Sequence, residues 1–262
     1  QNTAVGENSM AVNTSGSNNV AVGWASLDAN TTGSKNTAVG AAALTSNTTT
    51  SEHTAVGYLA LQSNTTGLRN TAVGHEAGKN ITTGTDNTIV GGDAAPAITT
   101  GSSNTVMGRE ALRAVTTASN NTAIGKSALR FSTGGDNTAI GHLTLYSCTT
   151  GIQNVAVGAF ALDASQATSD NTAVGYATLT SEVGGQNNVA VGTRALQNQN
   201  HASGNIYNTA VGSNAGQAIT DGATNTAIGG NSLYSLASAD NNTALGYRAS
   251  YSATTAERNT TV

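Results

Sequence analysis

Asn36-Thr37-Ala38-Val39-Gly40 is answered seventeen residues later by His53-Thr54-Ala55-Val56-Gly57 and again by Asn70-Thr71-Ala72-Val73-Gly74, with Leu44 and Leu61 four residues past the first two glycines. The phrase returns in both directions along the chain. Gly6, Gly23, Gly40, Gly57, Gly74, Gly91, Gly108 and Gly125 keep the 17-residue step; one 16-residue step leads to Gly141, Gly158, Gly175 and Gly192, and one 20-residue step to Gly212, Gly229 and Gly246. Fifteen copies thus fill residues 1–262 as one array. A short fixed period is the signature of an architecture in which each unit packs on its neighbours and no central core exists.

The columns of the repeat say which architecture. Asn precedes the glycine by four residues in fourteen copies, with His53 the exception; Thr follows in twelve, replaced by Val20, Val155 and Val189; then comes Ala in thirteen, with Ile89 and Val106 departing; the fourth is Val, Ile, Met107 or Leu245. Branched residues beside a glycine predict a short strand ended by that glycine. Leu stands four residues past it in ten copies, at a second short strand or a tight corner, and a polar loop such as Ser63-Asn64-Thr65-Thr66-Gly67 closes the unit. Both length changes fall in that loop, which is therefore expected on the outside. No apolar stripe of helical period runs through the seventeen residues. The reading is all-β: a parallel β-solenoid of about fifteen coils, stacked at ~4.8 Å and about 70 Å long.

Composition narrows the function classes. Charged residues are 9% of the chain and aromatics 4%, with a net charge of −4 and no basic stripe, which excludes a phosphate-tracking surface. No run approaches the ~18 apolar residues of a membrane span. Cys148 is the only cysteine, so no disulfide framework is available. The chain stands in register from Asn2 and breaks off inside a further copy at Asn259-Thr260-Thr261-Val262, as expected of a segment of a longer fibre.

Alternate strand residues face opposite sides, so Thr and Val share one face and Ala and Gly the other. Neither face carries a charge in any copy. A coil has one inside, and a wet outside would tolerate Lys or Glu somewhere among fifteen rungs. Both faces are therefore expected to be covered, one by the coil and one by another copy of the chain packed around a common axis. The alternative is a single coil with a bland Thr-rich face.

The Asn-Thr-Ala-Val-Gly-x-x-Ala-Leu unit resembles the repeats of phage tail fibres, and it is similar to the Asn-Ser-x-Ala-Ile-Gly repeats in the heads of trimeric autotransporter adhesins. The resemblance spans the whole chain. It implies a left-handed, homotrimeric β-roll on a cell or virion exterior, used for reach and attachment. The unit is longer than that of the adhesin heads and its loops are richer in Thr.

Few columns carry chemistry. The position after each glycine varies most, and its exposed aromatics Trp24, Tyr58, Tyr176 and Tyr247 are candidates for stacking on surface glycans, as are His201 and Tyr207 in the lengthened loop; the bland alternative is that they cover neighbouring rungs. Glu76, Asp93 and Glu110 occupy one column on three successive rungs, where Arg109 and Lys126 balance them or a hard cation such as calcium sits between them. Otherwise no cofactor is implied. The Thr column invites comparison with ice-binding solenoids, but these use Thr-x-Thr, and here the second position is apolar. His53, His75, His142 and His201 lack metal-ligand spacing, no Gly-x-Ser-x-Gly occurs, and no enzyme is expected. Asn30, Asn47, Asn64 and Asn80 each begin an Asn-x-Thr triplet, a glycosylation signal that this composition also produces by chance.

Overall fold

The computed structural model describes residues 1–255 and 257–262. The chain divides into two compact units, Gln1–Ser127 and Ala128–Val262, and each is a parallel β-solenoid, as the period predicts. The first unit carries β1 (Thr3–Val5), β2 (Val20–Val22), β3 (Thr37–Val39), β4 (Thr54–Val56), β5 (Thr71–Val73), β6 (Thr88–Val90), β7 (Thr105–Met107) and β8 (Thr122–Ile124). The second carries β9 (Thr138–Ile140), β10 (Val155–Val157), β11 (Thr172–Val174), β12 (Gly185–Gln186), β13 (Val189–Val191), β14 (Gly204–Asn205), β15 (Thr209–Val211), β16 (Thr226–Ile228), β17 (Thr243–Leu245) and β18 (Thr260–Thr261). Strands stack like on like: Thr37, Ala38 and Val39 oppose Thr54, Ala55 and Val56. The 20-residue step leaves this register intact, since Val189, Ala190 and Val191 still oppose Thr209, Ala210 and Val211. The extra residues are absorbed at a small separate sheet, β12 with β14.

The core is a column of small residues. Ala at the centre of each strand is buried from Ala21 onward, with Ile89 and Val106 equally buried where they replace it. The Leu column, from Leu27 to Leu233, lies against it, also buried. Each Leu removed from water contributes on the order of 1.5–3 kcal/mol.

The segment after the glycine is a corner and not a second strand. In each rung the second and fourth residues past the glycine have a left-handed backbone, such as Ala25 at φ 51° and Leu27 at φ 51°. A third left-handed residue, such as Lys35 at φ 61°, precedes the ladder Asn. β-branched side chains fit poorly at positive φ, and that limits what can fill the corner: the fourth position holds Leu, Met10, Ala95, Ser250 or glycine, never Val or Ile. Where the Leu gives way to Gly78, Ala95 or Gly216, though not at Met10 or Ser250, an Ile arrives three residues later at Ile81, Ile98 and Ile219, all buried and all outside the left-handed positions. Gly78 shows that this is space filling, since a Cβ there would stand 2.9 Å from Ile89 Cδ1 and 3.1 Å from Ile81 Cδ1.

The repeating glycine does more than end a strand. Gly23 has φ +132°, and a Cβ on it would meet the backbone carbonyl carbon of Gly40, one rung along, at 2.7 Å. Close stacking of backbone on backbone, as much as the turn, requires glycine.

The loop departs from the expectation of a wholly outer segment. Asn30, Asn47 and Asn64 are fully buried, with Asn30 Nδ2 donating to Asn13 Oδ1 at 2.8 Å and to Gly33 O at 3.0 Å. These amides satisfy the loop's own carbonyls, so of the triplets at Asn30, Asn47, Asn64 and Asn80 only the last has an exposed Asn.

Candidate interaction surfaces

No pocket opens among the described residues, and no three of their His, Cys, Asp or Glu side chains are placed to hold a metal ion. What the fold presents is surface, and the strands display most of it.

With Ala turned inward, the Thr and Val columns form the outer face of each sheet. They are half-buried to exposed along the coil: Met107 is 49% exposed and Leu245 48%. Val20, Val155 and Val189, which replace Thr, are likewise exposed. The result is an uncharged, largely apolar strip in each unit. Monomeric soluble proteins rarely leave such strips continuous.

The Asn ladder lies just before this strip and is structural. Most of these Asn accept the next rung's amide, as Asn19 Oδ1 does from Asn36 N at 2.8 Å, and donate to a loop carbonyl, as Asn19 Nδ2 does to Gly33 O at 2.7 Å. The bonds are thus mainly side chain to backbone. His53 fits the ladder because its Nδ1 accepts from Asn70 N at 3.2 Å as an amide oxygen would. Burial lowers its pKa and keeps the ring neutral, which that acceptor role needs.

Beyond the glycines lies the variable edge. In the first unit Trp24 is 56% exposed and Tyr58 is exposed and stacked on His75, ring centroids 5.4 Å apart. In the second, Tyr176 is exposed and meets Phe160 edge-on at 5.8 Å; Phe160 in turn meets His142 at 5.5 Å. Tyr247 is 71% exposed with the Arg248 guanidinium 5.4 Å from its ring centre. The aromatics thus cover neighbours and still offer faces or edges to solvent.

Each carboxylate of the column meets a basic side chain of its own. Glu76 meets Lys79 at 3.2 Å, Asp93 meets His75 at 3.5 Å, and Glu110 meets Arg113 at 3.4 Å and Arg109 at 3.7 Å. Each acid has its own basic neighbour, the balancing arrangement expected of a stacked carboxylate column. Lys126, expected to help balance them, makes none of these pairs. A second charged column, before the ladder Asn, alternates in sign: Lys35 pairs with Glu52 at 3.3 Å, and Arg69 grips Asp86 with two hydrogen bonds of 2.7 and 2.9 Å. Such exposed pairs contribute little stability, but a one-rung slip would place like charges together.

In the lengthened loop, Tyr207 is 54% exposed, whereas His201 is turned inward, its side chain only 12% exposed. His201 is thus no surface contact for a sugar. Its partner is Glu182, a fully buried carboxylate in the column that holds Asn30 and Asn47 elsewhere. Sequence reasoning missed Glu182. The available signal was an acidic residue standing where other rungs place Asn, Ser or Ile, one rung before the insertion.

Comparison with family models, curated proteins and solved structures gives no match.

Proposed function

We propose that this chain is a non-enzymatic structural or adhesive segment of an extracellular fibre, of the tail-fibre or surface-adhesin kind, working as a homotrimer on a virion or cell exterior. The uncharged Thr/Val strip carries the reading: it runs through every copy of the repeat and is left exposed on a single chain. Three copies packing their strips around a common axis would bury it, and the hydrophobic gain would not be opposed by any desolvated charge. The resemblance of the repeat to tail-fibre and trimeric-adhesin sequences supports the same assembly. Sedimentation equilibrium tests it, with a single-chain mass counting against it.

A second reading, a glycan-binding surface, is favoured by the exposed rings of Trp24, Tyr58, Tyr176, Tyr207 and Tyr247. Aromatic faces stack on the apolar faces of sugars, and one fibre can carry both roles. A glycan array tests it; binding lost on replacing Trp24 and Tyr58 with Ala supports it, and an array without hits removes it.

A further inference from the structure

The 20-residue step holds the most concentrated polar chemistry in the second unit. Glu182 Oε1 accepts four backbone amides: Val183 N at 3.0 Å, Gly184 N at 3.2 Å, Gly185 N at 2.7 Å and His201 N at 3.1 Å. Its Oε2 accepts Gln199 Nε2 at 2.7 Å. His201 Nδ1 stands 3.7 Å from the same oxygen, beyond a hydrogen bond but within reach of an ion pair. On the ring's other side, Nε2 lies 2.8 Å from the Asp221 carbonyl oxygen. Gln199 Oε1 continues the network by accepting Asn208 Nδ2 at 2.9 Å, which ties it to the Asn ladder.

A buried carboxylate is costly unless its charge is met by donors, and here backbone amides, an amide side chain and an imidazole meet it. Nε2 faces the Asp221 carbonyl and Nδ1 faces the Glu182 carboxylate, so only the doubly protonated ring both donates to Asp221 O and carries the charge that pairs with Glu182. The residues so tied, from Glu182 to Tyr207, include β12, β14 and the bond from Gly184 N to His201 O at 2.8 Å. Losing the ring proton breaks one of the two side-chain links that hold the imidazole between the rung of Glu182 and the rung of Asp221.

We propose that Glu182, Gln199 and His201 form a proton-dependent latch on the inserted coil, which holds the Tyr207-bearing surface most firmly in mildly acidic solution and loosens it as pH rises. The charged and titratable groups facing the imidazole are Glu182 from one rung and Asp221 from the other. Glu182 beside His201 raises the ring's pKa against the lowering effect of burial, helped by the Asp221 carbonyl. Burial alone would raise the pKa of Glu182, but His201, Gln199 and the amides of Gly185 and His201 outweigh it, so the pKa is lowered. A raised imidazole pKa gives stability that is complete below about pH 6.5 and is lost as pH rises through the folded value. A lowered carboxyl pKa gives stability present above about pH 4.3 and lost as pH falls through the folded value. Both charges stand between those limits, and there the latch is tightest.

The test is amide hydrogen exchange on the whole chain, with rates corrected for the intrinsic pH dependence. Protection of Gly184, His201 and Ile206 amides is expected to fall about tenfold or more between about pH 6 and about pH 9, the loss of one ion pair to a buried carboxylate. His201→Gln is expected to abolish that pH dependence. Protection that is flat with pH in the unaltered chain, or a dependence that survives His201→Gln, overturns the latch. Should the variant fail to fold, the ring-proton NMR titration of His201 in the unaltered chain decides: a midpoint above about 6.5 is expected, and one at or below it refutes the proposal.

Discussion

Replacing Gly91 by Ala should unlock one rung, and replacing its neighbour Gly92 should not. Gly91 has φ +138°, and a Cβ on it would lie 2.7 Å from the carbonyl oxygen of Gly108, 2.8 Å from its carbon and 3.2 Å from Arg109 N. These are backbone atoms of the next rung, held in place by Gly108 N donating to Val90 O at 2.8 Å, so no side chain can swing away to relieve the contact. A backbone strained at positive φ costs about 1–3 kcal/mol, and overpacking against a fixed wall about as much again, so Gly91→Ala should cost roughly 2–6 kcal/mol. Gly92 has no left-handed φ and no atom within 4 Å of the Cβ position. Ala there should be neutral or stabilise by about 0.4–1 kcal/mol through the unfolded chain. Solenoids open piecemeal, so the assay is urea unfolding joined to amide exchange at Gly91 and Gly108. If Gly91→Ala costs no more than Gly92→Ala, close backbone stacking is not what the glycine column serves.

Other perturbations separate fold from assembly and one column from another. Val174→Lys places a charge on the outer strip without touching the Ala core; circular dichroism should be unchanged while a trimer dissociates to single chains in sedimentation. Because burial lowers the pKa of His53, its contribution is complete above about pH 6.5 and falls as the pH drops below that value. Exchange at the Asn70 amide should therefore quicken on acidification, and His53→Asn should remove the effect. Gly78→Leu alone should overpack the rung by about 1–3 kcal/mol, and adding Ile81→Asn and Ile89→Ala should recover most of the loss in urea unfolding.

The strand and its division into a Thr/Val face and an Ala face were legible in the sequence because they follow from period and from alternation, and both are local; which face turns inward was not. The Asn column was legible as a ladder, though its bonds to backbone carbonyls fourteen residues ahead were not, since that reach depends on how the loop folds back. The corner was less legible. Leu is not a residue associated with a left-handed backbone, and only the absence of Val and Ile from its column pointed there. The loop misled for a different reason: its Asn and Thr look solvated, yet Asn47 is buried because a stacked coil must satisfy its inner carbonyls with side chains. The same error put His201 on the surface, where its pairing with Glu182 depends on two rungs meeting across an insertion. The aromatic edge was readable from variability alone, and Trp24, Tyr58, Tyr176, Tyr207 and Tyr247 are indeed exposed.

The mass of the folded particle in solution bears most directly on the proposed assembly through the Thr/Val strip. Sedimentation equilibrium should return three times the chain mass of 25.9 kDa, and the same measurement on Val174→Lys should return one. A single-chain mass for the unaltered protein at every concentration, with the solenoid folded by circular dichroism, would contradict it.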